Sequence, residues 1–156
     1  MQRDCVTVRL AEMKDVDGIH SVEQDSFSDA WSKESFENEI GENETAHYFV
    51  AEIEGNLVGY MGYWQILDQA HITNVAVLPA FRRRGIAKEL LSKVIETAKG
   101  AGILSFTLEC RVSNAPAIAL YESLGFKAWG IRPKYYLDNR EDAIIMWLES
   151  EEEEEC

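Results

Sequence analysis

The sequence predicts an α/β domain in which about four helices cover both faces of one mixed sheet of six to seven strands. Three observations carry that expectation. A short apolar strand, a basic glycine-containing turn and an amphipathic helix follow one another from Asn74 to Ile95, and a further apolar strand comes after the helix. Strands connected in this way lie parallel, with a right-handed crossover. Upstream, two apolar runs separated by Glu54-Gly55-Asn56 read as an antiparallel hairpin. The chain has 156 residues, 46% of them hydrophobic, and no linker or internal repeat divides it, which suits one domain with a real core.

Taken in order, Val6 to Leu10 reads as the first strand, and Ala11 to Gln24 carries Met13, Val16, Ile19 and Val22 at helical spacing. Ser28 to Ser32 is a loop, after which Ser32, Glu34 and Ser35 open a short helix reaching about Ile40. His47 to Ile53 and Leu57 to Ile66 are the hairpin strands, and the strand at Asn74 completes a three-stranded antiparallel meander. In the next helix Ile86, Leu90, Leu91, Val94, Ile95 and Ala98 share one face, and Gly100 and Gly102 mark its end. From Ile103 to Val112, the residues Leu104, Phe106, Leu108 and Cys110 alternate with Ser105, Thr107, Glu109 and Arg111, so the strand has an apolar and a polar side. Asn114 starts a helix with Pro116 in its first turn and Gly125 at its end. Segments around Phe126 to Ile131 and Ala143 to Leu148 close the sheet through a loop containing Arg132, Pro133, Tyr135 and Tyr136.

Composition narrows the function classes. There is no apolar run of 18 or more residues and no charged-then-apolar N-terminal segment, so a membrane span and a secretory signal are not expected and the cytoplasm is the expected compartment. Cys5, Cys110 and Cys156 are odd in number and lack metal-ligand spacing, and His20, His47 and His71 are scattered; neither a metal nor a disulfide framework is expected. The net charge is -13, and six of the 28 acidic residues lie in the last eight positions, which leaves 22 acids against 15 bases elsewhere. An acidic body argues against direct nucleic-acid binding and is compatible with a cationic substrate. The expected division is therefore a folded domain over residues 1–148 and an acidic, disordered tail over 149–156.

The turn after the strand at Asn74 has the parts of an anion socket. Backbone N–H groups in the first turn of a helix have no partner within it, and Arg83, Arg84, Gly85, Ile86, Ala87 and Lys88 bring several of them around one point. The helix dipole favours negative charge there, and Gly85 lets a phosphate approach closely. A basic helix start with a solvated charge run explains the same residues. The turn is neither a nucleoside-triphosphate loop, which ends in Gly-Lys and a hydroxyl residue, nor a dinucleotide loop with three spaced glycines.

Arg82-Arg83-Arg84-Gly85-Ile86-Ala87 resembles the acetyl-CoA signature of the GNAT N-acetyltransferases. LECRVSNAPAIALYESLGF, RPKYYLDNREDAIIM and DAWSKESF resemble the RimI group of protein N-terminal acetyltransferases, so the likeness runs from the first strand to about Leu148. The resemblance implies a GNAT fold whose two central parallel strands splay apart around the pantetheine arm of acetyl-CoA. It implies that backbone groups of Val75, Ala76 and Val77 meet that arm, that Arg83 to Lys88 bind the pyrophosphate, and that Asn114 also contacts the donor. Glu109 resembles the family's general base and Tyr121 its general acid. Phe27, Trp31, Tyr135 and Tyr136 sit in the two loops that flank the peptide groove in similar enzymes. The implied partner is a ribosomal protein: the acceptor is the N-terminal alanine of small-subunit ribosomal protein eighteen, attacked directly in a ternary complex. Neither the six-acid tail nor the Arg-Arg-Arg turn, two departures from the close pattern, removes a catalytic group.

Each of these residues also has an ordinary explanation. Val75 and Val77 suit a buried strand, Glu109 a half-exposed strand, Tyr121 the packed face of a helix, Trp31 a staple for the second helix, and the tyrosine pair a turn. By strand alternation Cys110 points away from Glu109 and reads as a small core residue. An α-amine with a pKa near 8 is about 10–20% neutral at pH 7, against about 0.04% for a lysine, which favours an N-terminal acceptor for a single carboxylate base. A lysine or small-amine acetyltransferase and a noncatalytic acyl-CoA-responsive module are the rival readings.

Overall fold

The structure is a computed structural model that describes residues 6–26, 31–82 and 85–149. Seven strands form one sheet in the order β1-β2-β3-β4-β5-β7-β6. They are β1 (Val6–Leu10), β2 (Ala46–Ile53), β3 (Asn56–Ile66), β4 (Gln69–Val77), β5 (Ser105–Arg111), β6 (Lys127–Arg132) and β7 (Ala143–Glu149). All neighbours are antiparallel except β4 and β5. The helices are α1 (Val16–Ser26), α2 (Lys33–Gly41), α3 (Ile86–Gly100) and α4 (Ala115–Ser123).

The predicted mixed sheet with four helices is the observed one, and the apolar spacing explains where each helix sits. Ile86, Leu90, Leu91, Val94, Ile95 and Ala98 of α3 are buried with Met61, Val77, Phe106, Leu108 and Met146 of the sheet, and Tyr121 of α4 joins this core. Val16, Ile19 and Val22 of α1 and Phe36 of α2 pack with Tyr48, Val50, Tyr60 and Ala76 in a second core. At Gly62 a Cβ would lie 2.6 Å from the Tyr48 ring, so this position admits no larger residue without moving an aromatic that the second core is built on.

Four details differ from expectation. The helix expected from Ala11 begins as a 3₁₀ turn over Met13–Asp15 and becomes α-helical at Val16. Asp15 causes the change: its Oδ2 accepts the Glu12 N–H at 2.7 Å, and both its oxygens accept from the Arg9 guanidinium at 2.8 Å, which ties the turn to β1. Strand β4 begins at Gln69, five residues before Asn74, because alternating Gln69, His71 and Thr73 hide its apolar period. Leu104 precedes β5 and is 42% exposed, while Ile103 takes the place in the core. Strand β7 runs through Glu149 and pairs it with Ser105, one residue beyond the expected domain boundary; residues 150–156 lie outside the described residues.

Two irregularities shape the middle of the sheet. Strands β4 and β5 pair only over Gln69–Ser105, Ala70–Phe106 and His71–Thr107, although β4 continues six residues further and β5 four. Beyond His71 the parallel pair is unpaired. On its other side β4 has a register shift against β3 between Gly62 and Tyr63, which leaves Thr73 outside the regular pairing. A bulge of this kind bends a strand and re-aims its side chains.

Candidate active site

A cavity of 350 Å³ occupies the gap between the separating strands. Its walls include Asn74 and Val75 of β4, Glu109 and Cys110 of β5, Asn114 and Tyr121 at α4, and Trp31 and Tyr136 from the flanking loops. Since Cys110 belongs to the α3–α4 core and Glu109 alternates with it, the cavity reaches both sides of the sheet.

Glu109 is half-buried, with its side chain 9% exposed. Its Oε1 lies 2.6 Å from His71 Nε2 and its Oε2 lies 3.4 Å from Arg132 Nε. Burial works against the carboxylate, but the His71 hydrogen bond and the charges of His71 and Arg132 outweigh it and hold its pKa below the ordinary range. The carboxylate is therefore ionised at neutral pH.

Tyr121 has the opposite surroundings. It is 9% exposed, its ring meets Phe126 edge-on at 5.7 Å, and among the described residues its hydroxyl has no hydrogen-bond partner. Burial raises the pKa of this hydroxyl, with Cys110 and Tyr136 adding to the effect, so the proton stays on. Cys110 is likewise pushed up, to about 11 by burial, and faces the cavity as a neutral thiol.

The remaining predicted residues fall into distinct places. Asn114 caps α4 by accepting the Ala117 N–H at 3.2 Å, which leaves its amide NH₂ free at the cavity wall. Val75 lines the cavity, whereas Ala76 and Val77 are buried in the two cores and the Val77 carbonyl accepts Arg82 Nε at 3.0 Å. Arg82 also reaches Ser26 Oγ at 3.2 Å, so the first arginine of the turn braces the loop against β4 and α1. Gly85 has φ of 76°, and a Cβ there would meet nothing within 4 Å; no side chain caps α3. A left-handed glycine before an uncapped helix, with open space at its Cα, fits a phosphate group. Ile86 is buried, Ala87 half-buried and Lys88 exposed, so from the first two only backbone N–H groups are available there. Arg83, Arg84 and Phe27 lie outside the described residues.

Trp31 packs on Phe36 of α2 at 5.5 Å, as a staple for that helix would, and it also lines the cavity. Tyr136 also lines the cavity, while Tyr135 is 43% exposed and meets Tyr136 edge-on at 5.1 Å. The post under this loop is Arg111. Its guanidinium lies 4.0 Å from the Tyr136 ring centre and pairs with Asp138 at 2.8 Å and Glu141 at 3.4 Å.

His71, Glu23 and Arg111 are the residues that sequence reasoning missed. Glu23 is 2% exposed, accepts hydrogen bonds from the Tyr60 hydroxyl and from the Trp31 N–H, and lines the cavity. Its signal was an acid four residues after Ile19, on the core face of α1. His71 gave no such sign, because its strand was placed too far along the chain. Among the described residues no cluster of side chains could hold a metal, and no helix is long and apolar enough to cross a membrane.

A sheet whose central parallel pair opens around a cavity, with an uncapped helix after the first strand of that pair, defines an acyl-group transferase fold of the acetyltransferase type. The sequence agrees: residues 16–126 match the acetyltransferase (GNAT) family, and the chain belongs to it. The chain is 38% identical over 144 residues to the ribosomal protein bS18-alanine N-acetyltransferase of Escherichia coli K12, covering 91% of this chain and 96% of that one. The crystal structure of the Escherichia coli ribosomal-protein-S18-alanine N-acetyltransferase superposes with a TM-score of 0.88 at 36% identity, over 97% of this chain and 99% of that one. A Bacillus subtilis protein whose name gives the same activity provisionally is 43% identical over 141 residues, 90% of this chain and 93% of its own.

Proposed function

We propose that this GNAT acetyltransferase moves an acetyl group from acetyl-CoA to the α-amine of the N-terminal alanine of ribosomal protein bS18. The observation that carries the reading is the cavity in the parallel seam of β4 and β5, where an ionised carboxylate and a phenol with no hydrogen-bond partner among the described residues meet one space from opposite sides of the sheet. Similarity to relatives named for that activity supports the choice of acceptor.

Bound acetyl-CoA supplies the thioester carbonyl that the amine attacks. The uncapped first turn of α3 and Gly85, with Arg83 and Arg84, are the proposed holders of its diphosphate, and Val75 to Val77 and Asn114 of its arm. Glu109 takes the proton from the incoming ammonium, directly or through one water, and His71 and Arg132 keep the carboxylate oriented. As the C–S bond breaks, Tyr121 gives its proton to the leaving sulfur, and the second proton shed by the nitrogen as it becomes an amide restores the phenol through solvent. Trp31, Tyr136, Tyr135 and Phe27 frame the acceptor. The test is to incubate the full chain with acetyl-CoA and the N-terminal peptide of the bS18 from the same organism: mass gain of one acetyl group on the α-amine is expected, and no gain above the uncatalysed rate would sink the reading.

A further inference from the structure

Beside the seam lies a second cavity of 260 Å³ lined by Trp31, Ser35, Asn38, Glu39 and Trp64. Trp31 is a wall of both cavities, so the second adjoins the first. The second cavity has a built interior. Glu39 is 9% exposed; its Oε1 accepts from Trp64 Nε1 at 2.7 Å and from the Tyr48 hydroxyl at 3.2 Å, and its Oε2 accepts from Asn43 Nδ2 at 2.7 Å. All three donors are neutral, and among the described residues no cation lies within ion-pair range of Glu39. A carboxylate has about four acceptor positions, so one remains open.

Burying an acid without a counter-charge is costly, and packing alone does not call for it. A pocket lined by two indoles and a carboxylate has instead the chemistry that attracts a cation: aromatic rings draw positive charge and the acid receives its N–H groups. Hydrogen bonding to Glu39 fixes the Trp64 ring, so the site is formed before anything binds. We propose that this pocket is a specificity subsite for a cationic side chain, arginine best, carried by the acceptor peptide a few residues after its N-terminal residue. Arginine suits it because a planar guanidinium both stacks on indole and offers several donors. The assignment rests on the reading of the acceptor as a protein N-terminus.

The experiment uses the full chain and a neutral parent peptide beginning with alanine, against three versions with a single arginine at position two, three or four. At one of these positions arginine should raise kcat/KM by about tenfold, mainly by lowering KM, as expected for a cation on an aromatic face beside an acid. Glu39→Gln should collapse the ratio between the arginine peptide and its parent. Asn38→Lys, at an exposed position on the cavity rim, should collapse it too without touching the buried network. The ratio is internal to each preparation, so loss of folded enzyme does not imitate the result. Acetylation of the parent with no gain from arginine at any position, or a gain that survives both substitutions, overturns the subsite alone. No acetylation of any peptide overturns the N-terminal acceptor reading, and the subsite with it.

Discussion

At the scale of single residues, the proposed division of the two proton transfers between Glu109 and Tyr121 rests on surroundings that push the two groups apart. Glu109 is held ionised by His71 and Arg132, and Tyr121 is kept protonated by burial. The sign for Glu109 follows: a carboxylate with a depressed pKa is available as a base from below neutrality upwards. An enzyme that binds the ammonium and removes its proton therefore keeps its rate as pH falls toward 6, below the amine pKa near 8. Glu109→Gln can use only acceptor that is already neutral, a fraction that falls about tenfold per pH unit. Its deficit in kcat/KM should be about a hundredfold or more at pH 6 and shrink toward pH 9, and a deficit that is flat with pH would remove Glu109 as the base. Tyr121→Phe keeps the ring against Phe126 and deletes a hydroxyl that has no hydrogen-bond partner among the described residues. Its melting temperature should stay near that of the parent, while kcat falls by about a hundredfold with donor affinity unchanged. A full kcat would show that the phenol only packs.

At the scale of elements, the proposed acceptor side depends on a loop that Arg111 holds from below. The guanidinium stacks on Tyr136 and binds Asp138 and Glu141, and Glu141 also receives the Ser113 N–H at 2.8 Å. Arg111→Ala removes all the contacts of that side chain, so the acceptor KM should rise about tenfold while the donor KM stays constant; equal rises in both would mean a general loss of fold. Arg111 was legible in the sequence only as the polar partner of Cys110 in an alternating strand. The same limit recurs elsewhere. Strand and helix periods were plain wherever one face meets a core, as in α3, and failed in β4, where Thr73 and Asn74 line the cavity and His71 meets Glu109. The early end of the β4–β5 pairing carries no periodic signal at all. It came from family resemblance, because a gap between strands is a property of two segments 30 residues apart. Glu109 and Tyr121 were recognisable in the same way, whereas His71, which touches Glu109, was visible only once β4 had its true start.

At the scale of the whole molecule, the sign of the charge bears on the rate of encounter. The chain carries -13 overall, and the excess persists over the body once the terminal acids are set aside. Buried Glu23 and Glu39 and half-buried Glu109 place three acids along the two cavities, where low-dielectric walls focus the field. A basic acceptor is drawn to that side from a distance and a neutral one is not. Exposed charges are screened beyond a Debye length of about 10 Å at 0.1 M salt, while contacts inside the cavities are screened far less. Raising salt from about 50 to 200 mM should therefore lower kcat/KM severalfold for a peptide rich in arginine, chiefly in the encounter step, and leave a neutral alanine peptide nearly unchanged. The measurement is made at saturating acetyl-CoA, so that the response of the polyanionic donor drops out. Equal salt dependence for both peptides would mean that the acidic surface serves solubility and has no part in selecting the acceptor.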